Sequence, residues 1–155
     1  MQVPAYVSER DIDLLLLEEF HVSPEFRAWF VANVYGPSVQ CAQFVGAWHS
    51  VDKAGLGESD LILEFLDSEG DATAILIEDK IDALPQPEQG VRYRLRGEEG
   101  LSDGSWRRFR TCIVAPQAYL TATADVSNYD SCISYQAIKC WFANSSADSA
   151  RMAYK

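Results

Sequence analysis

The stretch Ala74-Ile75-Leu76-Ile77-Glu78-Asp79-Lys80-Ile81 decides how this sequence folds. Four consecutive apolar residues are too short for a helix and lack the alternation of a half-exposed strand, so they match a strand covered on both faces. That strand then runs straight into three charges. Residues two apart on a strand share a face, about 6.6 Å apart along it, so Glu78 and Lys80 project together while Asp79 faces away. Burying such charges costs several kcal/mol each unless they pair or meet an ion. With Asp60 on the preceding strand, a carboxylate and an ammonium held side by side can coordinate a hard divalent cation and position a water. A solvated ion pair at a strand end is the plainer alternative for Glu78 and Lys80, and Asp60 is also readable as a turn acid.

Working outward, Asp60–Leu66 alternates, with Leu61, Leu63 and Phe65 on one face and Asp60, Ile62 and Glu64 on the other. Asp67-Ser68-Glu69-Gly70-Asp71 is a turn by composition, and Val39–His49 is rich in β-formers. These three segments predict a meander. Ahead of it, Ser8 caps a helix reaching Phe20, with Ile12, Leu15, Leu16 and Glu19 at helical spacing. A second helix follows Pro24 through Phe26, Trp29, Phe30 and Val34, and stops at Gly36-Pro37. Beyond the charged strand, Pro85 and Pro87 open a helix from about Glu88 to Arg96, ending near Gly97. Arg110–Pro116 is a further short strand, and Ile133–Tyr154 reads as a helix with Ile138, Trp141, Phe142 and Met152 as its apolar positions. The order α, α, β, β, β, α, β, α predicts a single α/β domain over residues 1–155, a mixed central sheet flanked by helices. The helical pattern reaches Lys155 without a visible cap, so a C-terminally trimmed chain is expected.

The chain has 155 residues and 17.3 kDa, the size of one domain. A hydrophobic share of 48% excludes wholesale disorder. Leu14–Leu17 is too short to span a bilayer, and the charges at Glu9, Arg10, Asp11 and Asp13 before it speak against a secretory signal. Thirteen cations against 23 acids give 13 − 23 = −10. Six of the cations, Arg92, Arg94, Arg96, Arg107, Arg108 and Arg110, face only Glu98, Glu99 and Asp103 in their segment, which is therefore +3 while the remainder is −13. A basic patch on an acidic body can still bind polyanions locally. The cysteines at 41, 112, 132 and 140 form no C-x-x-C pair, and with two histidines, His21 and His49, a histidine-rich metal site is excluded. Free thiols and the lack of a secretory signal lead to a cytoplasmic location. No phosphate loop, dinucleotide fingerprint or serine-hydrolase elbow is present. A Cys41–His49 nucleophile pair has nothing else to support it, and buried inert cysteine is the commoner outcome. Trp106, beside Arg107 and Arg108, is a candidate for stacking on a base.

Asp60, followed after a hairpin by Glu78-x-Lys80, resembles the PD-(D/E)XK nuclease superfamily, and the element order resembles that superfamily's restriction-endonuclease-like αβββαβ core. Gln89 and Tyr93 add a Q-x-x-x-Y spacing similar to its recombination- and exonuclease-type branch. The resemblance covers about positions 8 to 116, and Ser59 stands where the motif's name puts proline. It implies a Mg²⁺- or Mn²⁺-dependent hydrolase of phosphodiester bonds, with DNA as substrate, or alternatively a catalytically inactive module of the same fold that binds nucleic acid or a protein. Asp60 and Glu78 would then be metal-binding carboxylates and the Asp79 carbonyl a further ligand. Lys80 would orient the attacking water, and Gln89 would support the site or touch the nucleic-acid backbone. Glu18 and Glu19 are both candidates for a first-helix acid completing the metal site; Glu19 is placed ahead because it lies on the side of Leu15 and Leu16. Glu58, two residues before Asp60, is another acid in reach. Arg92, Tyr93, Arg96, Arg107 and Arg108 are the expected nucleic-acid contacts. DNA is the expected partner and a membrane is not. The acidic excess leaves room for a homodimer, or for a further segment or partner that assists DNA binding.

Overall fold

The computed structural model describes residues 7–49, 61–81 and 88–145. Helix α1 (Glu9–Val22) begins in a reciprocal capping box: the Ser8 hydroxyl oxygen accepts from the Asp11 N–H, and the Asp11 carboxylate accepts from the Ser8 N–H. Ser23 ends α1 and caps α2 (Pro24–Tyr35) by accepting from the Phe26 N–H at 3.1 Å, with Pro24 in the first turn, where its missing donor costs nothing. Both helices match the sequence expectation to within two residues at each end.

Five strands follow: β1 (Gln43–Trp48), β2 (Leu61–Leu66), β3 (Ala72–Asp79), β4 (Arg108–Ala115) and β5 (Ser131–Ser134). They form one mixed sheet in the order β1-β2-β3-β4-β5. The first three pair antiparallel as the expected meander, whereas β3–β4 and β4–β5 are parallel. Parallel neighbours need a crossover. Helix α3 (Gln89–Asp103) provides the first; α4 (Gln117–Ala122) and a 3₁₀ turn at Ala124–Asn128 provide the second. Helix α5 (Tyr135–Asn144) follows β5.

Strand alternation sorts the core into two layers. Leu61, Leu63, Phe65, Ile75, Ile77, Cys112, Val114 and Ile133 turn toward α1, α2 and α5, where they meet Leu16, Phe20, Phe26, Phe30 and Ile138. Ile62, Ala74, Leu76, Ile113 and Ala115 turn the other way, under Tyr93 of α3, Trp106 and Tyr129. The third strand is buried at every position after its first, as the apolar run predicts.

Three expectations are corrected. Helix α3 continues through Gly97 to Asp103. Gly97 is an interior contact, not a stop, because a Cβ there would lie 2.0 Å from the Phe109 ring. The actual stop is Gly104, in the left-handed region at φ 82. Trp106 is buried at 8% exposure, and its Nε1–H donates to the Gly97 carbonyl at 2.9 Å, so it supports α3 and does not stack on a base. The last helix starts at Tyr135, and the four residues before it join the sheet as β5. The expectations at Pro85, Pro87 and Met152 lie outside the described residues, as does the rest of the tail after Ser145. No helix among the described residues is long and apolar enough to cross a membrane.

Candidate active site

The charged end of β3 lies where the three parallel strands finish. Glu78, Asp79 and Lys80 are 2%, 0% and 6% exposed, so the solvated-pair alternative does not describe them. Glu78 and Lys80 share the α3 side, with Lys80 Nζ 3.2 Å from Glu78 Oε1. The first residue of α3 reaches the same carboxylate: Gln89 Nε2 donates to Oε1 at 2.9 Å. One turn later the Tyr93 hydroxyl donates to Oε2. The i, i+4 spacing seen in the sequence thus puts two neutral donors on one helix face, aimed at one carboxylate. The start of α3 also brings the positive end of a helix dipole near that charge.

Burial alone would depress the Lys80 ammonium. Glu78, with Glu9 and Tyr119 behind it, outweighs burial and holds Lys80 above the ordinary lysine range, so it is charged at neutral pH. Glu9 comes from the first turn of α1 and accepts from the Ile81 N–H at 3.1 Å, tying α1 to the residue after Lys80. Tyr119, on α4 just after β4, is pushed up by burial, with Lys80 opposing.

Asp79 faces the other layer. The Tyr135 hydroxyl, at the start of α5, donates to its Oδ1. Burial first, and then the Asp79 carboxylate with Glu9 and Asp13 beyond it, keep the Tyr135 phenol far above its usual range and hence neutral. Residues from the ends of β3, β4 and β5 therefore meet at one edge, the carboxyl end where ligands of such sheets sit.

Asp60 and Glu58 lie outside the described residues; Asp60 directly precedes Leu61, whose partner across the sheet is Ile77, the residue before Glu78. Glu19 is fully buried, but it is ten residues from Glu9, about 15 Å along the helix. The first-helix acids near the strand end are Glu9 and Asp13; Glu18 is exposed. The signal for them was present: Glu9, Asp13, Leu16 and Phe20 make an i, i+4, i+7, i+11 stripe, so Asp13 occupies a core-facing position. Nothing in the local sequence points to Tyr135 or Tyr119.

The expected nucleic-acid contacts separate. Tyr93 is buried at 3% exposure and serves Glu78. Arg92 is half-buried one residue away. Arg96 is buried and lines a hollow of about 390 Å³ with Trp48, Glu64 and Glu99. Glu78 pairs with Ile113 in the sheet, and Arg108 lies five residues earlier, about 16 Å away at the opposite end of β4. There Arg107 pairs with Asp71 and Arg108 with Asp67. Arg92 and Arg96 of α3 and the Arg107–Arg108 pair therefore lie in separate places. Among the described residues, no group of three or more His, Cys, Asp or Glu side chains is placed to hold a metal ion. The donors at the end of β3 are hard carboxylate oxygens, the kind that suit Mg²⁺ or Mn²⁺ and not softer ions. No protein-family model matches the chain, and neither a curated protein nor a solved structure matches it.

Proposed function

We propose that the chain is a metal-dependent nuclease of the PD-(D/E)XK type, hydrolysing phosphodiester bonds in DNA, with Asp60, Glu78 and Lys80 at its reacting centre. The observation that carries this is the buried Glu78–Lys80 pair at the carboxyl end of a central strand, gripped by Gln89 and Tyr93 of the next helix. The path from α1 through the antiparallel meander, α3 and a parallel β4 supports a restriction-endonuclease-like core. Stability alone does not explain the pair, since a buried ion pair replaced by well-packed apolar residues is often neutral or more stable.

Mg²⁺ or Mn²⁺, held by Asp60, Glu78 and the Asp79 carbonyl, would supply Lewis acidity and an activated water. The chain's own residues do the rest. Lys80 offers an ammonium that remains charged, able to orient the attacking water and to offset charge building on the phosphate. Gln89 and Tyr93 fix the Glu78 carboxylate, so it need not reorganise during the reaction. Arg92, beside Tyr93 on α3, provides a cation for the approaching backbone.

A catalytically inactive module of the same fold is the second reading. One observation favours it: protein donors already meet the Glu78 carboxylate, Lys80, Gln89 and Tyr93 among them. Incubating the purified chain with plasmid DNA separates the two. The nuclease reading expects nicking with Mg²⁺ or Mn²⁺ that EDTA stops and that Lys80→Ala and Glu78→Gln lose by at least about a hundredfold. DNA binding without cutting would establish the module instead.

A further inference from the structure

We propose that Arg107, Arg108 and Arg110 build a second site, remote from Glu78, that takes a phosphate group. In a chain of net charge −10, three of the thirteen cations line one hollow of about 480 Å³ between the end of α2 and the start of β4. Among the described residues no Asp or Glu lines it; Tyr35, Ser38 and Phe109 do. Three arginines lining one hollow concentrate positive charge there, and an anion is drawn to such a place.

The arginines are held from behind. Arg107 Nη1 lies 3.1 Å from Asp71 Oδ1, Arg108 Nη2 lies 2.9 Å from Asp67 Oδ2, and Arg110 Nη1 donates to the Val34 carbonyl at 2.9 Å. Asp67 is itself fixed by the N–H groups of Asp71 and Glu69. Those backbone bonds, the one with Asp71 foremost, and Arg108 hold its carboxyl below the usual range, so the clamp stays ionised. Each guanidinium carries five N–H donors and uses one terminal nitrogen for its clamp, leaving the others for a ligand. Two of the three charges are balanced by Asp67 and Asp71. Arg110 donates to a neutral carbonyl and lies 5.2 Å from the Tyr35 ring centroid, and among the described residues no ion pair is formed by it. Its charge suits an oxyanion that accepts several hydrogen bonds in a fork.

The hollow is larger than an orthophosphate ion and falls in the range of about 300–1,000 Å³ usual for small ligands. The chemistry it would recognise is a phosphate group, carried either by the free ion or by a nucleotide. The site needs no metal and does not depend on the nuclease reading.

Calorimetric titration of the full chain at low salt, with EDTA present, tests it, first with inorganic phosphate and then with adenosine 5′-monophosphate, using adenosine as control. Saturable binding of phosphate is expected, weakened at least about tenfold in Arg107→Ala and in Arg110→Gln. Arg107 is 78% exposed, so its replacement leaves the fold intact even where the Arg110 variant does not. Tighter binding of the nucleotide than of phosphate identifies a nucleotide as the occupant; equal affinity identifies the free ion. No binding by the unaltered chain, or equal binding by the Arg107→Ala variant, overturns the proposal.

Discussion

Lys80, Gln89 and Tyr93 converge on one buried carboxylate, and the ammonium among them is the group whose loss has the clearest signature. Replacing Lys80 with Met keeps most of the side chain's apolar stem but removes the ammonium from beside the buried Glu78 carboxylate, which Gln89 and Tyr93 continue to meet. Removing one partner of a buried pair costs about 3–5 kcal/mol, and urea unfolding should show a loss of that order. The pH dependence has a definite sign. The folded-state value of Lys80 is raised, so the pair's contribution is full below the ordinary lysine value of 10.5 and is lost as the pH rises through the higher folded value. The stability gap between the two proteins should stay constant from neutral pH up to the ordinary lysine value of 10.5 and narrow from there through the raised folded value. A gap that already closes near neutrality would mean the ammonium is not paired. At this scale the sequence was informative about Glu78, Lys80, Gln89 and Tyr93, because strand and helix periods alone bring them together. It was uninformative about Tyr135, which reaches Asp79 across 56 positions of sequence and is set by packing between elements. Nor does closeness in sequence set Arg107 and Arg108 beside Arg92, because a helix and a turn carry them to the far end of β4.

Among the elements, α3 shows how composition can mislead. Gly97 reads as a stop, yet it is where the helix passes tightly over the Phe109 ring of β4. Gly97→Ala gains about 1 kcal/mol of helix propensity. It also forces a Cβ to within 2.0 Å of the Phe109 ring, an overpacking worth about 1–3 kcal/mol. Net destabilisation is expected by thermal unfolding, and Phe109→Leu in the same chain should recover part of it. A Gly97→Ala protein as stable as the parent would mean that α3 does not lie this close to β4. The short strand β5 was missed for a different reason. Its four residues, Ser-Cys-Ile-Ser, include a single fully apolar position, Ile133, and become a strand only because β4 offers a parallel partner.

For the whole molecule, the meander and the mixed sheet flanked by helices were legible because the strands and helices rest on apolar runs and periods that local sequence carries. The placement of charge was not, since net charge and clustering in sequence carry no direction in space. The described structure resolves that charge into an acidic edge around Glu9, Glu78 and Asp79 at the carboxyl end of the strands, and a clamped arginine group at the other end of β4. The acidic edge is the one proposed to react, and metal affinity probes it without relying on a chosen substrate. Titration of Mn²⁺ into the full chain, followed by electron paramagnetic resonance, should show saturable binding that Glu78→Gln and Asp60→Asn each weaken at least about tenfold. Binding that is absent, or that is equal in all three proteins, would contradict a metal-dependent reacting centre at the end of β3.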